Sequence, residues 1–150
     1  YVDSNSRQLR EAVFNHKQAR VVYVLGKDLT LVETSEQYAL SISAAFEVID
    51  IVIAQMGMGP DGHICGILPG TPAVESDKLV VAYATDTFTR ITLTPRALQE
   101  HVTSAYVYAF GEAKRDALSK LLQDVPLTEQ PAQVLKSLPE AYVYNDLIAN

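Results

Sequence analysis

Residues 50–55 read Asp-Ile-Val-Ile-Ala-Gln, and residues 56–63 continue as Met-Gly-Met-Gly-Pro-Asp-Gly-His. The first segment is a short, nearly continuous apolar run, which is typical of a central parallel strand covered on both faces. The second segment opens a loop rich in glycine and proline that extends to residue 72. Ligands of open α/β sheets bind at the carboxyl ends of the strands, so we expect the functional site in this loop.

Predicted strands and helices alternate on both sides of this strand. Upstream, we predict a helix that begins at Ser4 or Asn5, a strand over residues 21–25 that ends at Gly26, and a helix that begins at Thr34 or Ser35. Downstream, we predict strands over residues 79–83, 90–93, 105–110 and 141–144, and helices from Pro95, from Gly111 and over residues 131–135. The alternation predicts one α/β domain with an open, mostly parallel, Rossmann-like three-layer sheet.

Composition limits the classes of protein to which the chain can belong. Hydrophobic residues make up 48% of the 150 residues, which is enough for a core and argues against disorder. The 12 basic and 18 acidic residues give a net charge of −6, so we expect no nucleic-acid partner and no anionic membrane surface. A single cysteine cannot form an intrachain disulfide. No apolar run approaches the ~20 residues of a membrane span, and we therefore expect a soluble, cytoplasmic protein.

The loop after residue 56 carries glycines and a candidate acid/base pair. Gly57, Gly59 and Gly62 allow the backbone to approach a ligand closely and to adopt positive φ angles. Asp61 and His63, two residues apart, offer an acid/base pair or an oriented imidazole. Two other interpretations stay open. The glycines can form a tight turn beside a solvated histidine. They can also match the G-x-G-x-x-G dinucleotide pattern, although this sequence lacks the acidic residue that the pattern expects at a strand end about 20 positions later.

Other chemistry-bearing residues give weaker signals. Cys65 lies in an apolar stretch, and we expect a small buried residue rather than a nucleophile, because no sequence neighbour would lower the thiol pKa. No histidine pair and no Cys-x-x-Cys spacing predicts a metal site.

Several ordered motifs together resemble a known family. They are residues 57–63 followed by Leu-Pro-Gly at 68–70, Arg-Ile-Thr-Leu-Thr at 90–94, Gly-Glu-Ala-Lys at 111–114, and Asp-Ser-Asn at 3–5. They are similar to the signature motifs of the 6-phosphogluconolactonase and glucosamine-6-phosphate isomerase/deaminase family. The resemblance runs from Ser4 to Asp146.

The resemblance implies a function and a set of site residues. His63 matches the acid/base residue, which in lactonases activates water to hydrolyse 6-phosphogluconolactone, a reaction of the pentose phosphate pathway. Asp61 would orient the imidazole, Gly57, Gly59 and Gly62 would form the substrate loop, and Arg90 with Lys114 would bind the phosphate of the sugar. The family reactions need no cofactor. The alternatives are a glucosamine-6-phosphate isomerase/deaminase and a non-catalytic module that binds sugar phosphates.

The chain also differs from the family pattern. Residues 84–89 replace the Pro- and Lys-rich stretch that precedes the arginine motif in lactonases, and residues 64–69 replace the Ala-Phe-Asn-Glu-Pro run of the deaminases. The Ser/Gly phosphate loop and the Asp-Glu motif of the family's N-terminal part are not found. We therefore expect these residues to be the C-terminal part of the domain, without measurable lactonase activity in isolation, and with exposed sheet edges that favour homo-oligomers.

Overall fold

The computed structural model describes residues 21–25 and 28–148. Its strands are β1 (Ile53–Gly57), β2 (Val80–Ala84), β3 (Thr89–Leu93), β4 (Ser104–Ala109) and β5 (Glu140–Asn145). Its α-helices are α1 (Leu31–Phe46), α2 (Pro95–His101) and α3 (Arg115–Leu121), and two 3₁₀ helices cover Glu112–Lys114 and Pro131–Ser137. Within these ranges no helix combines the length and the apolarity that crossing a bilayer would need.

The main sheet is parallel and has the strand order β1-β4-β5. Met56, Val107 and Val143 lie side by side across it and point to the same face. Parallel neighbours need crossover connections, and α2 and α3 lie within the two that join these strands. The predicted α/β fold with a parallel sheet is confirmed.

The core lies between one face of this sheet and the helices of the crossovers. Alternate residues of β4 (Ala105, Val107 and Ala109) are fully buried there, as the two-residue period of a strand requires. Strands β1 and β2 contribute Met56 and Tyr83 to the core. Further buried members come from the loop after β1, from the helices and from the second 3₁₀ helix, and they include Ile64, Ile67, Leu98, Leu118, Val134 and Leu135. The loop is thus part of the core, which fixes its position relative to the sheet.

Strands β2 and β3 form a separate antiparallel hairpin. Thr94 follows β3, is fully buried, and caps α2 by accepting a hydrogen bond from the Ala97 N–H at 3.1 Å. Its hydroxyl also donates to the carbonyl of Lys78 at 2.7 Å. The predicted helix start at Pro95 is confirmed, and this cap joins the hairpin firmly to the helix that follows it.

Helix α1 begins earlier than predicted. Its N-cap is Thr30, whose side chain accepts from the Glu33 N–H, while the Glu33 carboxylate accepts from the Thr30 N–H at 2.8 Å. The predicted caps, Thr34 and Ser35, lie inside the helix, and the Thr34 hydroxyl donates to the Thr30 carbonyl. The correct start carries the Thr-x-x-Glu capping box, a stronger signal than a single hydroxyl residue.

The other strand predictions need two corrections. Residues 21–25 have no ladder partner among the described residues, because a β-branched run supplies propensity and not a neighbouring strand. The run at 50–55 becomes a strand only from Ile53, and in the described part of the sheet β4 lies between β1 and β5. The other face of the described sheet carries the stacked pair Tyr108 and Tyr144, which are 43% and 45% exposed. The predicted first helix and Gly26 lie outside the described residues.

The capping box of α1 gives a first prediction. Thr30→Ala removes the hydroxyl that accepts from the Glu33 N–H, and we expect it to lower the free energy of unfolding by about 1 kcal/mol in urea. Ser41→Ala is the control, since its exposed hydroxyl bonds only within the helix and alanine is a better helix former. An equal effect of the two substitutions would contradict the assigned N-cap.

Candidate functional site

A cleft of about 790 Å³ lies at the carboxyl end of β1. Its walls are the last residues of β1, the loop that follows, strand β3, Tyr38 of α1 and Lys114. This is the place where the sequence predicts the site, because loops at the carboxyl edge of a parallel sheet converge on a common crevice.

The loop after β1 is tightly folded around Gly59. The Gly59 N–H donates to the His63 carbonyl at 2.9 Å, and the Gly62 N–H donates to the Gly59 carbonyl at 3.0 Å. A β-carbon on Gly59 would overlap the imidazole of His63 and crowd the carboxylate of Asp61. Glycine is therefore required here, because the histidine ring packs directly against the backbone.

The side chains of Asp61 and His63 form a hydrogen-bonded pair. The Asp61 Oδ1 atom lies 2.7 Å from His63 Nδ1 and also accepts the His63 backbone N–H at 3.1 Å. Desolvation raises the pKa of Asp61, but the hydrogen bonds and the charge of His63 outweigh it and leave this pKa below its usual value. An ionised carboxylate at Nδ1 makes that nitrogen the donor, so Nε2 is the nitrogen that can accept a proton.

Arg90 of β3 forms another wall of the cleft with a partly buried guanidinium. The Arg90 Nε atom is buried and has no hydrogen-bond partner among the described residues. The guanidinium carbon lies 5.2 Å from the centre of the Phe88 ring, and the side chain runs beside Gly66. A buried donor without an acceptor costs free energy, and an anionic ligand in the cleft would remove that cost.

Lys114 reaches the same cleft from the end of β4. Gly57 pairs with Tyr108, so β1 and β4 end at the same edge of the sheet, and the 3₁₀ helix Glu112–Lys114 follows β4 directly. Gly111 makes the turn with a φ of +88°. Lys114 is half-buried and makes no ion pair within the described ranges. Among the residues that the structure describes, two cations and no carboxylate therefore line the cleft, in a protein of net charge −6.

The structure places most of the predicted site residues together. Those that line the cleft are His63, Gly57, Gly59, Arg90 and Lys114. Asp61 stands behind the imidazole and is not part of the wall, as expected of a residue that orients the ring.

Gly62 is the exception among the predicted substrate-binding residues. It is buried, has a φ of +78° and packs against the side chain of Gln130 on the side away from the cleft. Its carbonyl accepts from the Ala132 N–H at 3.0 Å. Its position therefore serves the fold of the loop, since only glycine fits this positive φ beside Gln130.

Cys65 differs from the expectation that it is a buried residue. It is exposed in the wall of the cleft, with a φ of +53°, and is not a core residue. Although solvent reaches it, protein atoms surround the thiol on the other sides, and this desolvation raises its pKa to about 11. The thiol is thus protonated at neutral pH, which agrees with the expectation that it is not a nucleophile.

Sequence patterns did not reveal two contributors to the site. Tyr38 lines the cleft from α1, and burial raises its pKa, yet in the sequence it is only one member of an apolar helical stripe. Gln130 is fully buried behind the loop, donates to the Ala117 carbonyl at 2.7 Å and accepts from Gln133 at 2.7 Å. A buried glutamine that bonds to main-chain carbonyls has no sequence signature.

Among residues 21–25 and 28–148, no group of three or more His, Cys, Asp and Glu side chains is arranged to hold a metal ion.

Comparison with known proteins identifies the family. Residues 2–143 match the family described as glucosamine-6-phosphate isomerases/6-phosphogluconolactonase, and the chain belongs to this family. The 6-phosphogluconolactonase of Homo sapiens is 32% identical over 124 residues, which cover 77% of this chain and 47% of the human protein. The chain thus spans about half the length of the curated relatives it matches.

Solved structures agree on the fold. The crystal structure of a 6-phosphogluconolactonase from Shewanella baltica has a TM-score of 0.80 at 23% identity, covering 97% of this chain and 65% of that chain. A monomeric glucosamine-6-phosphate deaminase has a TM-score of 0.78 at 21% identity, covering 97% of this chain and 66% of that chain. At these identities the likeness establishes the fold and does not separate the two activities.

The lowered pKa of Asp61 predicts a pH-dependent contribution to stability. Because this pKa is lower in the folded state, the ionised carboxylate stabilises the protein above its unfolded pKa of about 3.9, and this contribution is lost as the pH falls through the folded pKa. The wild type should therefore exceed Asp61→Asn in its free energy of unfolding by the largest amount above about pH 4. This difference should shrink when urea titrations are made at lower pH. His63→Gln, which removes the ring partner, should weaken this pH dependence. A difference that stays constant with pH would contradict the role assigned to the pair.

Proposed function

We propose that the cleft binds a phosphorylated sugar lactone and that the protein hydrolyses 6-phosphogluconolactone with His63 as the general base. The observation that carries this proposal is the convergence on one cleft of an imidazole oriented through Nδ1 and two cations without ion-pair partners among the described residues. Support comes from the family to which the chain belongs and from the names of its curated relatives.

The phosphate group fits the cationic wall of the cleft. The guanidinium of Arg90 offers several N–H donors in one plane, including the buried Nε, and the ammonium of Lys114 adds a compact positive charge. A phosphate ester is close to a dianion at neutral pH, so it gains from both cations and supplies acceptors that the protein lacks there. In a protein of net charge −6, such a local patch is needed to attract an anionic substrate.

The proposed chemistry is a general-base hydrolysis. The Nε2 atom of His63 removes a proton from water, whose oxygen attacks the carbonyl carbon of the lactone, while Asp61 stabilises the imidazolium that forms. The tetrahedral intermediate then breaks the bond between this carbon and the ring oxygen. The ring oxygen takes the proton back from His63 and becomes a hydroxyl group, and the acid product releases its proton to solvent.

The isomerase/deaminase alternative has weaker support. The deaminase structure resembles this chain at 21% identity, which concerns the fold alone. Residues 64–69 also read Ile-Cys-Gly-Ile-Leu-Pro, in place of the Ala-Phe-Asn-Glu-Pro run that is typical of the deaminases. We therefore keep lactone hydrolysis as the proposed reaction.

Location and assembly belong to the same proposal. A cytoplasmic location is supported by the single cysteine and by the acidic composition. Self-association is supported by large apolar side chains that are more than 60% exposed in the described residues, among them Val32, Leu40, Val48, Ile51 and Ile53.

Substitution of the imidazole tests the proposed reaction. In the complete gene product that contains these residues, His63→Ala should lower the rate of 6-phosphogluconolactone hydrolysis by about 100-fold or more, because a general base contributes that much. The Kd for 6-phosphogluconate, measured by calorimetry, should change by less than about threefold, because Arg90 and Lys114 remain in place.

His101→Gln is the control for this experiment, because His101 stacks on Phe46 at a ring distance of 4.1 Å and is not among the residues that line the cleft. It should hydrolyse the lactone at the wild-type rate. Hydrolysis by His63→Ala at the wild-type rate would refute the catalytic role of His63. A wild-type protein that binds 6-phosphogluconate but does not hydrolyse the lactone would instead be the non-catalytic binding module.

Substitution of the arginine tests the phosphate site separately. Arg90→Ala should weaken the binding of 6-phosphogluconate by about tenfold or more, the value of a charge-assisted hydrogen bond, and should leave the binding of unphosphorylated gluconate unchanged. Arg96→Ala is the matched control, since Arg96 lies on α2 and pairs with Glu100. Equal losses for the two ligands in Arg90→Ala would contradict a phosphate contact.

A further inference from the structure

A two-residue turn follows His63 and lines the cleft. The Ile67 N–H donates to the Ile64 carbonyl at 2.7 Å, and the two residues between them, Cys65 and Gly66, both have positive φ angles, of +53° and +80°. Positive φ at both central positions is the mark of a type I′ turn. Because Ile64 and Ile67 are fully buried, the ends of the turn are fixed in the core while its tip faces the cleft.

Two buried hydroxyl groups hold the tip of this turn. The Tyr83 hydroxyl donates to the Gly66 carbonyl at 2.6 Å, and the Thr92 hydroxyl lies 2.6 Å from the Cys65 carbonyl. Tyr83 is 6% exposed and Thr92 is 4% exposed. Successive carbonyls of one turn are therefore bound by side chains that lie 17 and 27 residues away in the sequence.

The same hairpin carries the arginine of the cleft. Arg90 pairs with Tyr83 across the two strands and stands two residues before Thr92, so the three side chains share one face of the hairpin. The Arg90 side chain also runs beside Gly66. The turn thus directly follows the residue that carries the imidazole and lies beside the side chain that carries the guanidinium.

We propose that Tyr83 and Thr92 are positioning residues that fix the spacing between the Arg90 guanidinium and the His63 imidazole through the carbonyls of Gly66 and Cys65. This inference rests on the proposed function. A substrate whose phosphate and reacting carbonyl are a set distance apart reacts well only if the two protein groups are held at the matching distance. The two hydroxyls therefore contribute to selectivity for the phosphorylated lactone over the unphosphorylated one.

A purely structural role would have a different consequence. If the hydroxyls only satisfied buried carbonyls, their loss would lower stability and would affect all ligands of the cleft alike. The ratio of kcat/KM for 6-phosphogluconolactone to kcat/KM for gluconolactone separates the two cases, because a loss of folded protein cancels in this ratio.

The experiment uses closely matched substitutions in the complete gene product. Thr92→Val keeps the shape of the side chain and removes the hydroxyl, whereas Thr92→Ser keeps the hydroxyl, and Tyr83→Phe removes only the phenolic oxygen. We expect Thr92→Val and Tyr83→Phe to lower the selectivity ratio by about tenfold, as a small misplacement of reacting groups does, and Thr92→Ser to stay within about threefold of the wild type. Tyr106→Phe, outside the cleft, is the control and should leave the ratio unchanged.

Each outcome has a defined meaning. An unchanged ratio in Thr92→Val and Tyr83→Phe, or an equal fall for both substrates, overturns the positioning role while the proposed function stands. The ratio of the Kd for gluconate to the Kd for 6-phosphogluconate measures the same preference for the phosphorylated ligand without turnover. A ratio that is unchanged in Thr92→Val and Tyr83→Phe overturns the positioning role here as well. A wild-type protein that neither hydrolyses the lactone nor prefers the phosphorylated ligand refutes the proposed function itself.

Discussion

The parallel pairing of β1 with β4 is the constraint on which the site depends. Since Gly57 pairs with Tyr108, both strands end at one edge of the sheet, and the loops that follow them must meet there. One loop carries His63 and the other carries Lys114. The hairpin of β2 and β3 closes a further side with Arg90, so three residues far apart in the sequence line one cleft.

The loop after β1 is held from two directions. On the side away from the cleft, Gln130 packs against Gly62, and the Ala132 N–H donates to the Gly62 carbonyl. On the side of the hairpin, the hydroxyl groups of Tyr83 and Thr92 bind the tip of the turn. In the proposed reaction, an imidazole on a loop held this way would lose little freedom when the lactone binds, as preorganised catalysis requires.

The sequence predicted the parts of the site that have a local signature. The Asp-Gly-His segment after an apolar strand predicted His63, and the resemblance of the Arg-Ile-Thr and Gly-Glu-Ala-Lys motifs to the family predicted Arg90 and Lys114; all three residues line the cleft. Thr30 with Glu33 also had a local signature, the capping box, which the prediction overlooked.

Contacts between side chains and distant main-chain carbonyls could not be predicted in this way. Tyr83, Thr92 and Gln130 act through such bonds, and any polar residue of the right reach could make them. The position of β4 between β1 and β5 in the described sheet also depends on pairing across the sheet, whereas the sequence predicted the apolar run at 50–55 as a central strand. Sequence patterns report local conformation, whereas these features are set by tertiary packing.

The most direct test of the account is a crystal structure of the complete gene product with bound 6-phosphogluconate. The phosphate oxygens are expected within about 3.2 Å of nitrogens of Arg90 and Lys114, and the carboxylate carbon on the side of the cleft where His63 Nε2 lies. A ligand bound with its phosphate at His63, or bound outside this cleft, would contradict it.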